Sequence, residues 1–262
     1  EPYVTDVECQ KFLGREYYER KDYDTSFKWF AMAAEQGDLE CQKFLGREYY
    51  ERKDYDTSFK WFAMAAEQGD LECQSFLGIE YYKRKDYTVA LKWLFKAAEQ
   101  NDSVSQKFLG WSYWSKNDND NALKWYGKAA QQGDNEALFG VGIILLTKGD
   151  VTQAISYFQD AANKGFYRAA FWLGEIYFYG RGVQKDNQTA LEWYARAADS
   201  GHIYAQRMVL RINYIRGAGI SKIICCIKAI FLGVKFFVIA MKDRHDPRLG
   251  DIPGWGDFWI KR

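Results

Sequence analysis

One duplication constrains this chain more than any other feature: residues 8–42, beginning Glu8-Cys9-Gln10-Lys11-Phe12-Leu13-Gly14, recur without a change at 40–74, an offset of 32 residues. Self-similarity at a fixed period marks a repeat array, in which each unit buries its apolar face against the next. The count runs on past the duplicate. Glycines that follow an aliphatic residue stand at Gly14, Gly46, Gly78, Gly110, Gly142 and Gly174. Each unit then carries an aromatic residue four positions before a pair of alanines, at Trp29, Trp61, Trp93, Trp125, Tyr157 and Trp193. Six units follow directly from the two signatures.

The signatures describe two helices packed face to face. Small residues let backbones approach, and a large ring fills the space beside them. A glycine inside a helix costs roughly 1 kcal/mol, so its recurrence at every first helix calls for a packing reason. The second helix is expected to end at Gly37, Gly69, Gly133, Gly165 and Gly201, with Asn101 in that place once, because these residues tolerate the left-handed cap. The repeated tryptophans Trp29, Trp61, Trp93 and Trp125 are expected in the core, as members of the packing signature.

Composition enters through what it excludes. Thirty-six basic residues meet thirty-five acidic ones, and a net charge of +1 supplies no basic excess for a nucleic acid partner. Only three prolines interrupt the chain, in keeping with helix throughout. Cys9, Cys41 and Cys73 occupy one repeated position, filled elsewhere by Ser105, Ala137 and Ala169, and so read as small buried residues rather than disulfide partners. The two histidines, His202 and His245, belong to no metal or nucleophile motif, and no metal or cofactor is expected. Nothing resembles a catalytic constellation, which makes the reading non-enzymatic. The chain opens on Glu1 rather than methionine, as a boundary, a tag or a cleaved signal peptide would leave it.

The sixth unit carries the fullest motif: Leu173-Gly174-Glu175-Ile176-Tyr177, Gly180-Arg181-Gly182-Val183, Asp186, Ala190, Trp193, Ala197-Ala198 and Gly201. It resembles the Sel1-like repeat family. Its glycine loop lengthens the Tyr157-to-Trp193 spacing to 36 residues, whereas the 32-residue units drift toward the related tetratricopeptide pattern. The resemblance covers about residues 7 to 215 and implies an all-α fold: a right-handed α-solenoid of about six to seven antiparallel helix pairs over residues 1–216. It also implies a non-enzymatic protein-binding scaffold. More narrowly, bacterial members of the family include immunity proteins that neutralise a secreted antibacterial effector of phospholipase type. The alternative is a membrane-proximal adaptor that scaffolds a multiprotein assembly.

In such a stack the first helices line a groove, and equivalent positions form ladders along it. Four residues after the repeat glycines stand Tyr18, Tyr50, Tyr82, Trp114, Leu146 and Phe178. One residue after them stand Arg15, Arg47, Ile79, Trp111, Ile143 and Glu175, and three before them Lys11, Lys43, Ser75, Lys107, Phe139 and Phe171. The groove is therefore expected to be basic and tyrosine-edged in its first two units and apolar from the third, with Trp111 and Trp114 near the join. The candidate partner-binding residues are Tyr18, Tyr50, Tyr82, Trp111, Trp114, Arg15, Arg47, Lys43, Ile79, Phe139, Phe171 and Phe178, aromatic anchors beside charged groups. Tetratricopeptide relatives clamp a peptide carboxylate with basic side chains, but the full clamp set is not matched here.

Beyond the repeats, Ile220 to Met241 is an apolar stretch crossed by Lys222, Lys228 and Lys235, with Lys242 just after it. Two central lysines, at roughly 2.5 to 3.5 kcal/mol each, argue against a span. Residues 217–242 are expected to form an amphipathic helix that caps the stack, lies on a membrane surface or docks into a partner. Residues 243–262, with Gly250, Gly254 and Gly256 around Trp255, are expected to be an irregular tail.

Overall fold

Aspartate begins nearly every helix. A computed structural model describes residues 5–217 and 219–242; the expected tail, 243–262, lies outside them. The carboxylates of Asp6, Asp38, Asp70, Asp102 and Asp134 accept the backbone N–H three residues on, opening the first helices of successive pairs. Asp22, Asp54, Asp86, Asp118 and Asp150 do the same for the second helices. Each such cap satisfies an orphan donor and contributes about 1 kcal/mol. The pairs are α1 (Val7–Glu19) with α2 (Tyr23–Glu35), α3 (Leu39–Glu51) with α4 (Tyr55–Glu67), and α5 (Leu71–Lys83) with α6 (Tyr87–Glu99). They continue as α7 (Ser103–Ser115) with α8 (Asn119–Gln131), α9 (Asn135–Thr147) with α10 (Val151–Asn163), and α11 (Tyr167–Tyr179) with α12 (Asn187–Asp199). Two helices follow, α13 (Ile203–Arg216) and α14 (Ile220–Lys242), and the described residues contain no strand.

The second helices end where the sequence places the stops. Gly37 and Gly69 have φ of +97°, Asn101 +70°, and Gly133, Gly165 and Gly201 +87°. The tight turn inside each of the first five pairs also needs a left-handed residue, supplied by Lys21, Lys53, Lys85, Asn117 and Gly149 in turn.

The repeat glycines are contact points. A Cβ on Gly46 would lie 2.7 Å from the ring of Phe62, and one on Gly142 would lie 2.5 Å from that of Phe158. The residue over the glycine is thus the one after the repeated aromatic residue, Trp61 or Tyr157. The tryptophan itself reaches the preceding pair as well as its own: Trp61 packs with Phe27 and Phe30 of α2 and Leu45 of α3, and Trp93 with Phe59 and Phe62 of α4 and Leu77 of α5. Trp61, Trp93 and Trp125 are buried as expected, whereas Trp29, with no earlier pair among the described residues, is half-buried. All five cysteines are free, and Cys41 and Cys73 are buried.

A polar staple that the apolar pattern does not reveal joins successive pairs. Gln42 Nε2 donates to the Ala34 carbonyl (2.8 Å) at the end of α2, and its Oε1 accepts from Gln68 (2.7 Å), which caps the end of α4. Gln74 and Gln100 repeat both bonds one pair later. Buried amides are tolerated because each meets a partner, and the carbonyls they cap, at the helix ends, take the amide in addition to the N–H of Gly37 or Gly69.

The chain divides into two compact units, residues 1–112 and 113–262. The second holds a continuous core of Tyr126, Phe139, Phe158, Phe171, Trp172 and Tyr194 with the alanine pairs between them. Within it α14 packs back toward the start of α13 through Leu232, Phe236 and Ile239, which meet Ile203 and Tyr204.

Candidate functional site

In the first unit, the first helices of the first three pairs leave a cleft at each of their two junctions. Between α1 and α3 a cleft of about 320 Å3 is floored by Phe30, Cys41 and Phe44 and rimmed by Lys11, Arg15, Tyr18, Glu19 and Glu40. Between α3 and α5 its counterpart, about 290 Å3, is lined by Phe62, Cys73, Phe76, Arg47, Tyr50, Glu51 and Glu72. Every named residue of the second stands 32 positions after one of the first, so the duplication has built the same cleft twice.

The tyrosines wedge open the cleft walls. Tyr18 sits edge-on to Tyr23 (5.1 Å) and Phe44 (5.4 Å) and donates its hydroxyl to Glu48 (3.0 Å). Tyr50 meets Tyr55 and Phe76, each at 5.2 Å. Burial, followed by a hydrogen bond to Glu80, raises the Tyr50 phenol above its usual range. Cys41 is inert on the floor: burial, then the hydrogen bond to Asp38, pushes its thiol up to about 12.

The cations are placed as expected, but the wall is not a basic surface. Lys11 meets Asp38 (3.1 Å) and Glu40 (3.3 Å), and Arg15 lies 4.0 Å from Glu40. Lys43 meets Asp70 (2.9 Å) and Glu72 (2.7 Å), and Arg47 reaches Glu72 at 3.0 Å. Lysine 43's hydrogen bond holds the Glu72 carboxyl below its ordinary range. Each acid comes from the following first helix, so the ladder is neutral overall. The signal was present in the sequence as Arg-to-Glu spacings of 25 residues, at Arg15–Glu40 and Arg47–Glu72.

At the third junction only Asp102 remains of these charges. Ile79 replaces the arginine, Val104 replaces the glutamate, and Ser75 donates to Asp102 (3.0 Å) where Lys43 meets Asp70. Tyr82 keeps its place, with Tyr87 at 5.2 Å, Phe108 at 5.3 Å and Trp111 at 5.7 Å. Trp111 is 45% exposed and Val104 39%.

The expected contact residues of the second unit fare differently. Trp114 is half-buried against the second core. Phe139, Phe171 and Phe178 are buried, and a contact role for them is corrected here: their rings are spent inside the stack. Phe139 packs on Phe158 and Phe166, Phe171 on Tyr194 and His202, and Phe178 on Tyr179 and Tyr194. Ile143 and Glu175, on the neighbouring ladder, are buried too. Tyr194 donates to Glu175 (2.6 Å), whose carboxyl burial raises above its usual range.

With this geometry in place, comparison with known proteins is informative. The Sel1 repeat family matches residues 7–38, 40–70, 72–102 and 168–202, and the tetratricopeptide repeat family matches residues 109–167. The first three units therefore match Sel1 despite their shortened period, and the tetratricopeptide drift is confined to the middle. The chain superimposes on a Sel1 repeat protein from Oxalobacter formigenes at a TM-score of 0.59 and 29% identity, covering 78% of this chain and 88% of that one. It also superimposes on c5321, a protective antigen of uropathogenic Escherichia coli strains with an SLR fold, at a TM-score of 0.56 and 28% identity, over 80% of this chain. The match spans 57% of the antigen's length. YrrB, a TPR protein with an unusual peptide-binding site, shares the fold at a TM-score of 0.51 and 21% identity, over 68% of this chain and 95% of that one. No curated protein matches the chain.

Proposed function

Since this is a Sel1-type repeat protein with a tetratricopeptide segment at residues 109–167, an all-α repeat solenoid of the protein-interaction kind, we propose that its first three pairs hold a protein partner along the wall of α1, α3 and α5. The observation that carries this reading is the pair of identical aromatic-floored clefts, followed on the same wall by the exposed Trp111. Each cleft accepts an aliphatic or aromatic side chain on Phe30 and Phe44, or on Phe62 and Phe76. The ion-paired rim around it offers hydrogen bonds without selecting a charge. Trp111 and Val104 then supply the desolvated apolar contact from which binding energy mostly comes. Adjacent helix axes lie about 8–10 Å apart, so two anchors would stand about three residues apart in an extended segment. The neutral ladder speaks against a clamp for a peptide carboxylate, which needs an excess of cations.

The narrower reading, an immunity protein that neutralises a phospholipase-type effector, rests on the family resemblance alone. It predicts that a phospholipase-type effector encoded beside this chain would be found, and would be inhibited stoichiometrically through the same wall.

Peptide-display selection against the full chain tests the proposal. Enriched sequences should carry two apolar anchors with short polar spacing. Replacing Trp111→Ala together with Val104→Lys should weaken them about tenfold without shifting the melting temperature. Selected peptides that bind this variant as tightly as the parent would place the site elsewhere.

A further inference from the structure

Helix α14 is apolar on two faces, and among the described residues only one of them is covered. Cys225, Leu232, Phe236 and Ile239 share the face turned to the second unit's core, where Phe236 meets Tyr204 (5.7 Å) and Ile239 is buried with Ile203. On the opposite face Ile223, Ile224, Ile227, Ile230, Phe231 and Val234 recur at three- and four-residue intervals. They are 47–72% exposed. This strip runs about 17 Å along the helix at 1.5 Å per residue. An exposed, contiguous apolar strip of that size marks an interaction surface.

Charge decides what covers it. Residues 220–242 contain four lysines and no aspartate or glutamate. Lys228 and Lys235 are exposed and lie four residues after Ile224 and Phe231, along one edge of the open strip. A second copy of this helix would bring lysines against lysines with no carboxylate between them. The strip itself offers only hydrocarbon, with no hydroxyl, amide or indole to fix a protein partner's orientation. An anionic lipid surface satisfies both features. Acyl chains take the isoleucines while the lysine stems follow the strip and carry their ammonium groups up to the phosphates. Among the described residues no helix is long and apolar enough to cross a membrane, so the geometry is that of a helix lying in the interface.

We propose that α14 is a membrane-surface helix, which caps the last repeat with one face and seats the other in the headgroup region of an anionic bilayer. The inference is independent of the cleft reading, since it concerns a different helix and a different ligand.

Co-sedimentation of the full chain with vesicles is the test. Phosphatidylcholine vesicles carrying about a third phosphatidylglycerol should pull down the protein, and phosphatidylcholine alone should do so about tenfold less well. Ile227→Asp with Phe231→Asp, and separately Lys228→Glu with Lys235→Glu, should each abolish sedimentation while the circular dichroism stays that of the parent. The substituted side chains are exposed, and the lysine pair still tests the idea if the aspartate variant unfolds. Equal binding to both vesicles, no binding to either, or retained binding in both variants would overturn the proposal. So would a lipid-free dimer, seen by sedimentation equilibrium, that the aspartate variant disperses.

Discussion

The two units of the chain use one plan with opposite fillings. At the position three before the repeat glycine the first unit places Lys11 and Lys43, and the second places Phe139 and Phe171. One residue after the glycine, Arg15 and Arg47 correspond to Ile143 and Glu175. The lysine and arginine side chains lie along the junction and pair with Glu40 and Glu72, so a cleft stays open above the aromatic floor. The phenylalanines turn inward and become core. A cationic side chain keeps its head in water even when its stem is covered, whereas a ring gains most by leaving water altogether. The same backbone period therefore yields open, aromatic-floored clefts in one unit and a sealed core in the other.

The contrast is broken most directly by truncation. Phe178→Ala removes a 4% exposed ring packed on Tyr194 and should cost about 3–5 kcal/mol, as buried Phe-to-Ala changes do. Trp111→Ala, on the open wall, should cost under about 1 kcal/mol. Urea unfolding measures both. A Trp111 variant as unstable as the Phe178 variant would make the wall a core.

The glycine contacts distinguish the two units by a smaller margin. A methyl on Gly142 would press a fully buried Phe158 from 2.5 Å, and one on Gly46 would press Phe62, slightly exposed, from 2.7 Å. Overpacking costs about 1–3 kcal/mol, against about 1 kcal/mol gained from helix propensity. Gly142→Ala should thus lose about 2 kcal/mol and Gly46→Ala about 1 kcal/mol or less. Equal losses would show that both junctions are equally rigid.

Most of the fold was legible because helix pairing depends on local, periodic signals. Gly37, Asn101 and Gly201 take the left-handed conformation their residue types favour, and the first five alanine pairs are buried as their size requires. The site was legible only in part. A ladder of cations at Lys11, Arg15, Lys43 and Arg47 can be read from one helix, but its neutralisation by Glu40 and Glu72 is a property of two helices in contact. For the same reason Phe171 and Phe178 read as groove residues: position alone does not say whether the neighbouring pair leaves room above a ring. The lysines at Lys21, Lys53 and Lys85 gave no sign of their positive φ, since lysine has no preference for it.

Acid should separate the units further. In the first, Glu72 is held below its ordinary range by Lys43, Glu67 by Lys96 and Lys92, and Asp70 by the Cys73 N–H and Lys43 acting against burial. Lowered carboxyl values mean that the unfolded chain binds these protons more tightly. The stability they confer is present above about pH 4.3, the unfolded carboxylate range, and is lost as pH falls through the folded values. In the second unit burial raises Glu175, with Tyr194, Arg181 and Arg211 opposing. Its contribution has the reverse sign: full below about pH 4.3 and declining as pH rises through the raised value. Asp186, lowered by Thr189, confines this gain to the surroundings of Glu175. Hydrogen exchange at pH 7 and pH 4, corrected for intrinsic rates, should show α3 and α5 losing protection relative to α11. A parallel loss in both would refute the assignment.

The smallest effect lies in the turns. Lys53 holds φ at +64°, where the second unit uses Gly149 at +86°. A side chain in this region costs about 1 kcal/mol, while glycine there adds about 0.5–1 kcal/mol of chain entropy to the unfolded state. The difference favours glycine by a few tenths of a kcal/mol. Lys53→Gly should therefore raise the urea midpoint slightly, and Gly149→Lys should lower it by a similar amount. Lys21, Lys53 and Lys85 occupy equivalent turns a full repeat apart, so their glycine substitutions should add. A loss of stability in the triple variant would mean that the lysine charges work beside the caps Asp22, Asp54 and Asp86 by more than the backbone strain. The first unit's turns would then belong, with its clefts, to the same economy of paired surface charge.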